Sequence, residues 1–154
     1  MLSYSDISQT KVKIVKLLKK SGFNKFPNFS VKTMVPPSKK GVLGLYRVGS
    51  QFKGRLKIWV NIIEINRRYK KHEDAIRQLE LTIAHELGHS IVDATEFYKD
   101  SEPFNVPDWY EVFDGDEELF VELFAMYLVE GDLEHAMFFD EFIPLLADEY
   151  DNTL

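Results

Sequence analysis

The 154-residue chain is 45% apolar and 14% aromatic, enough material for one packed core, and its length is that of a single domain spanning 1–154. It has no cysteine, which excludes disulfides, thiolate metal sites and a thiol nucleophile, so any metal must be held by nitrogen and oxygen. The net charge of −6 conceals a polarity: residues 1–71 carry 17 of the 19 Lys and Arg against only Asp6 and Glu64, whereas residues 72–154 carry two basic residues and 23 acids.

The N-terminal segment has no basic stretch leading into an apolar one, and no window approaches eighteen unbroken apolar residues. The expectation is a soluble, cytoplasmic protein with no membrane partner. Ser5 can cap a helix over roughly 6–20, with Ile7, Ile14, Leu17 and Leu18 as its apolar stripe and Gly22 as its stop. β-branched and aromatic runs follow at Ser30–Val35, Val42–Val48 and Arg55–Ile65, separated by Pro36-Pro37-Ser38 and by Gly49 to Gly54. They predict a short, mostly antiparallel sheet. Leu56, Ile58, Val60 and Ile62 alternate with Arg55, Lys57, Trp59 and Asn61, as in a strand buried on one face.

Residues 72–96 return to a helical period through Ile76, Leu79, Ile83, Leu87, Ser90, Ile91 and Ala94. A loop over about 97–114, rich in aromatic residues, leads to a second long helix that Asp114 or Asp116 can cap. Glu117 to Glu130 run through Leu119, Phe120, Leu123, Phe124, Met126 and Leu128, apolar nearly all round and so expected to be buried. Gly131 and Asp132 precede a last helix over about 132–149, interrupted near Pro144.

His85-Glu86-Leu87-Gly88-His89 matches H-E-x-x-H. Residues four apart on a helix stand one above the other, so both imidazoles can face one ion. Glu86 is turned about 100° from His85, which suits a base more than a ligand. A catalytic zinc needs three protein ligands and an open position. Thr95 stands six residues beyond His89, so the longer metzincin pattern with a third histidine is absent. His135 lies on another predicted helix, and His72 at the start of this one, where capping or solvent contact is the ordinary role. Glu118 and Glu122, four apart on an otherwise apolar helix, are the acidic candidates, because a buried carboxylate is costly unless paired or metal-bound. Glu117 competes with Glu118 for the same position.

The stretch Leu81 to His89 resembles the active-site helix of the ImmA/IrrE metallopeptidases, and Ile58-Trp59-Val60-Asn61 resembles the strand before it. Glu118-Leu119-Phe120-Val121-Glu122-Leu123-Phe124-Ala125 is similar to their second helix and, more closely, to that of the anthrax lethal factor catalytic domain. Val121 stands where both have alanine, and Glu122 where the ImmA group has asparagine. The resemblance covers about 42–128 and implies an α+β, zincin-like domain of gluzincin type: N-terminal helix, short sheet, H-E-x-x-H helix, glutamate-bearing helix and C-terminal helix. It further implies that His85, His89 and Glu118 bind zinc, that Glu122 supports a ligand histidine from behind, and that Tyr110, close to a tyrosine of the lethal factor family, assists the transition state.

The resulting expectation is a zinc-dependent endopeptidase acting on one or a few cytoplasmic proteins, with Glu86 as general base for a zinc-activated water. The 55–62 strand is the expected edge on which an extended substrate is paired. Two other readings compete: a catalytically silent, zinc-stabilised binding module, and a protease toxin delivered to another cell. The basic half can attract an anionic partner, nucleic acid included, but the expected reading of such charge patterning is that the two halves face each other or water, with nucleic acid not expected as a partner.

Overall fold

The architecture of the chain is that of a computed structural model, which describes residues 1–25, 29–33, 43–48, 56–95, 116–131 and 136–153. In chain order the elements are α1 (Tyr4–Lys20), β1 (Phe29–Thr33), β2 (Gly44–Val48), β3 (Leu56–Val60), α2 (Ile62–Arg68), α3 (His72–Thr95), α4 (Glu117–Glu130) and α5 (Ala136–Asn152). The class is α+β, with helix predominating. None of these helices is long and apolar enough to cross a membrane.

Helix α1 begins two residues earlier than its sequence pattern indicates, because Ser3 rather than Ser5 is the N-cap. The Ser3 side chain accepts from the Asp6 N–H while the Asp6 carboxylate accepts from the Ser3 N–H at 2.8 Å, a reciprocal cap that satisfies two otherwise orphaned donors. The helix stops at Gly22, whose φ of +107° is open to glycine and strained for other residues. Its Ile7, Ile14 and Leu18 are buried against the rest of the core.

The sheet is mixed, not mostly antiparallel. Its order is β1-β3-β2, with β1 parallel to β3 and β2 antiparallel to it. β3 is therefore the central strand, and the expectation that 55–62 forms an edge does not hold. The alternation along it does hold: Leu56, Ile58 and Val60 are buried while Lys57 is exposed and Trp59 half-buried. The strand ends at Val60, not at residue 65. Asn61 accepts from the Glu64 N–H and caps α2, and Glu64 pairs with Arg67 and Arg68 across the turn. An Asx cap followed by i,i+3 and i,i+4 ion pairs overrides the β-branched run Ile62-Ile63-Glu64-Ile65.

Helix α3 is the hub of the molecule, packed by the sheet, α1, α4 and α5. Its middle is buried on most sides, including Leu79, Ile83, Leu87 and Ile91; Ala94, placed on its apolar stripe by periodicity, is exposed near the end. Helix α4 is capped by Asp116, which accepts from the Leu119 N–H, and closes at Gly131 in the left-handed conformation. Between α4 and α5 lies an aromatic cluster. Phe120 stacks on Phe124 at 6.3 Å between ring centroids and meets Phe139 and Phe142 at 5.9 Å each. Helix α5 runs unbroken through Pro144, which is exposed on its outer side.

Phe120 is 1% exposed at the centre of this cluster. Phe120→Ala is expected to lower stability by about 3–5 kcal/mol, through lost burial plus the residual cavity, measured as a shift of the urea midpoint without a change in slope.

Candidate metal centre

Helix geometry sets the two histidines of α3 one turn apart, with ring centroids 4.9 Å from each other and planes inclined at 72°. Helix α4 supplies the carboxylate. Glu118 Oε1 lies 2.8 Å from His89 Nε2, and Glu118 Oε2 lies 3.2 Å from His85 Nε2. One donor atom from each of the three residues falls within 4.8 Å of the others, so His85, His89 and Glu118 form a group that can hold a metal ion. Two imidazoles and a carboxylate converging on one point match the donor set of a site with three protein ligands.

The carboxylates are not buried in the way their apolar helix suggests. The Glu118 side chain is 68% exposed, and Glu122 is exposed as well. Burial of α4 is confined to Phe120, Val121, Phe124, Ala125 and Leu128, and the acids emerge on its remaining face, at the mouth of a cleft. What brings Glu118 to the histidines is the close approach of α3 and α4. Gly88 lies against Val121 and Phe124 so tightly that an added Cβ would come within 3.1 Å of Phe124 and 3.2 Å of Val121. Gly88→Ala is therefore expected to push α4 outward by a few tenths of an ångström. It should cost about 1–3 kcal/mol of stability and weaken metal uptake, both checked on one sample by denaturation and zinc titration.

A second carboxylate stands behind His89. Glu117 Oε2 is 3.4 Å from His89 Nδ1, the ring nitrogen turned away from Glu118. Glu122, expected to support a ligand histidine, lines the cleft and acts on His85 through its charge. Glu117 is thus the neighbour in contact with a histidine, and its offset from Glu118 is what carries it round to the other nitrogen.

The cleft is about 740 Å³ and is walled by Leu43 and Gly44 on the sheet side, by Gln78, Leu81, Thr82 and Glu86 of α3, and by Glu122, Ala125 and Met126 of α4. Gly44 crosses α3 at close quarters: a Cβ there would meet the Thr82 methyl at 2.6 Å and Glu86 Cγ at 3.3 Å. Thr82 Oγ1 in turn accepts from Gln78, whose amide oxygen accepts from the Tyr69 hydroxyl at 2.9 Å. Gln78, Thr82 and Gly44 were not singled out by the sequence. A glycine inside a strand pattern is the one signal that marks such a crossing.

Glu86 is almost fully buried. Burial pushes its carboxyl up to about 7, with the Glu118 charge adding to the rise and His89 opposing it. A cation held by the three donors would draw it back toward the ionised form that a base requires. Burial and the neighbouring His89 hold His85 below the ordinary histidine value, against the pull of Glu118 and Glu122. The neutral imidazole, the form that ligates, is favoured.

His72 is placed away from the cleft, 3.5 Å from Asp6 at the start of α1. Tyr110 and His135 lie outside the described residues. No protein-family model, no curated protein and no solved structure matches this chain.

Proposed function

We propose that the chain is a zinc-dependent endopeptidase of gluzincin type, with a zincin-like fold, acting on one or a few cytoplasmic proteins. The observation that carries this reading is the convergence of His85, His89 and Glu118 in the cleft between α3 and α4, with Glu86 beside them. Zinc fits the donor set because it accepts imidazole nitrogen and carboxylate oxygen and tolerates three protein ligands with one position left open. When bound, it lowers the pKa of water and polarises a carbonyl.

The chain's own residues then divide the remaining work. Glu86, next to His85 and lining the same cleft, accepts a proton from water and returns it to the departing amine. Burial raises its proton affinity and a bound cation would lower it again, the two effects opposing each other at the group that has to take up and release the proton. Glu117 orients His89 through Nδ1, fixing which nitrogen faces the ion. Substrate enters along β2, which lines the cleft through Leu43 and Gly44 and, among the described residues, has a strand neighbour on one side only, so that an extended chain can pair along its other side.

The test is to incubate the purified protein with a mixture of denatured proteins and to identify new peptide termini by mass spectrometry. The expected result is a defined set of cleavages that disappears with a chelator and returns with zinc. Cleavage unaffected by the chelator, or none under any condition, contradicts the reading. Zinc uptake is also expected to be steady from pH 8 down to about 6.5 and to fall below it. Binding requires both imidazoles neutral, and the lowered proton affinity of His85 delays the loss as pH falls.

A further inference from the structure

We propose that the outer face of the sheet, opposite α3, is a binding platform for single-stranded nucleic acid. The strand period divides the sheet into two faces. Phe29, Leu56, Ile58 and Val60 are buried toward the helices, and Ser30, Lys32, Lys57 and Trp59 stand on the other side. Register then gathers the outer residues. Lys32 is directly opposite Trp59, Ser30 is opposite Lys57, and Arg47 occupies the position opposite Lys57 on the other flank. Paired strands run about 4.8 Å apart, so Lys32 is placed beside Trp59 on the β1 flank, with Lys57 two residues before Trp59 on the same face of β3; on the β2 flank the register partner of Trp59 is Leu45. Lys11 of α1, with its Nζ 5.4 Å from the Phe29 ring centroid, carries the positive surface round the β1 edge.

The described strands contain no Asp or Glu. The only two acids of residues 1–71 are engaged elsewhere, Asp6 at the α1 cap and His72, Glu64 with Arg67 and Arg68. Among the described residues neither Lys32 nor Lys57 has an ion-pair partner, and Trp59 makes no ring contact.

Lysines supply point charges for phosphates, and an aromatic ring in their midst supplies a surface on which a base stacks without regard to sequence. A duplex keeps its bases stacked on each other and leaves Trp59 without a partner, so the single strand is the better fit. An anionic membrane would need aliphatic side chains to insert. Among residues whose side chains are described, the exposed large apolar ones, Met1, Tyr4, Val12, Ile63, Met137 and Leu145, all lie off the sheet. An acidic protein surface would use the lysines and leave the indole idle. The platform stands on the opposite face of the sheet from the metal centre, so its test is independent of the zinc reading.

The experiment is fluorescence anisotropy of a labelled oligo-dT of about twenty nucleotides, titrated with the full-length chain at several salt concentrations. Binding that weakens with salt is expected. Lys32→Glu combined with Lys57→Glu should weaken it at least tenfold and flatten the salt slope by about 1.4, since each lost phosphate contact to a single strand contributes about 0.7. Trp59→Leu should weaken it roughly tenfold with the salt slope kept. Circular dichroism and the thermal midpoint of each variant check that the fold is intact. The proposal is overturned if the oligonucleotide does not bind at low salt, or if it binds the variants as it binds the parent. Retention on phosphatidylserine vesicles, or self-association lost in the double variant, would overturn it equally where oligo-dT binding is absent.

Discussion

Glu118→Ala is expected to eliminate nearly all zinc uptake, the largest single effect on the metal centre outside the histidines themselves. Both of its oxygens point at Nε2 atoms, at 2.8 and 3.2 Å, so its removal takes away the only described carboxylate that reaches both histidines. Glu117→Ala and Glu122→Ala should be milder, weakening affinity by about 10–100-fold, as is typical of carboxylates that orient a ligand. Of the two, Glu117 should matter more for His89, which it approaches at Nδ1. Zinc titration of the three variants orders them. Loss of metal in Glu122→Ala with retention in Glu118→Ala would exchange the roles of the two acids, and Glu118 would no longer be a ligand.

Glu86→Gln is expected to keep the fold and the zinc while lowering turnover by about 10²–10⁴-fold. Gln preserves the shape at a buried position and removes the group that takes the proton. Its cost in stability is expected to be small, since the native carboxyl already has its proton affinity raised by burial and gains little from being charged. Kinetics on any peptide identified as a substrate checks this. A variant that cleaves at the parent rate would place the base elsewhere, and a parent that binds zinc yet cleaves nothing would favour a zinc-stabilised binding module.

The elements that carry the site were legible because their signals are local. The helical period fixes α3 within a residue, and the i,i+4 spacing places His85 and His89 together before any tertiary contact is known. Asp116 and Gly131 bracket α4 by ordinary capping chemistry. What the sequence could not show is set by contacts distant in the chain. Whether Glu117, Glu118 or Glu122 reaches the histidines depends on how closely α4 approaches α3, and that is decided by Gly88 against Val121. Glu118 reaches the histidines through this approach and not through burial, Glu118 and Glu122 themselves being open to solvent.

Strand pairing is hidden in the sequence for a related reason. β-branched residues announce strands but not their partners, so the parallel pairing of β1 with β3, and hence the central place of β3, is invisible in the run Leu56 to Val60. The overrun to residue 65 has a local cause that was available. Asn61 followed three residues later by Glu64 is a cap signal, and it outweighs the β propensity of Ile62 and Ile63.

The central claim is that His85, His89 and Glu118 form one zinc site. Calorimetric titration of metal-free protein with zinc tests it most directly. The expected isotherm shows a single ion per chain, with uptake abolished in His85→Ala and His89→Ala and proton release that grows as the pH is lowered toward the histidine range. A protein that takes up no zinc, or takes it up equally well without either histidine, would contradict the claim.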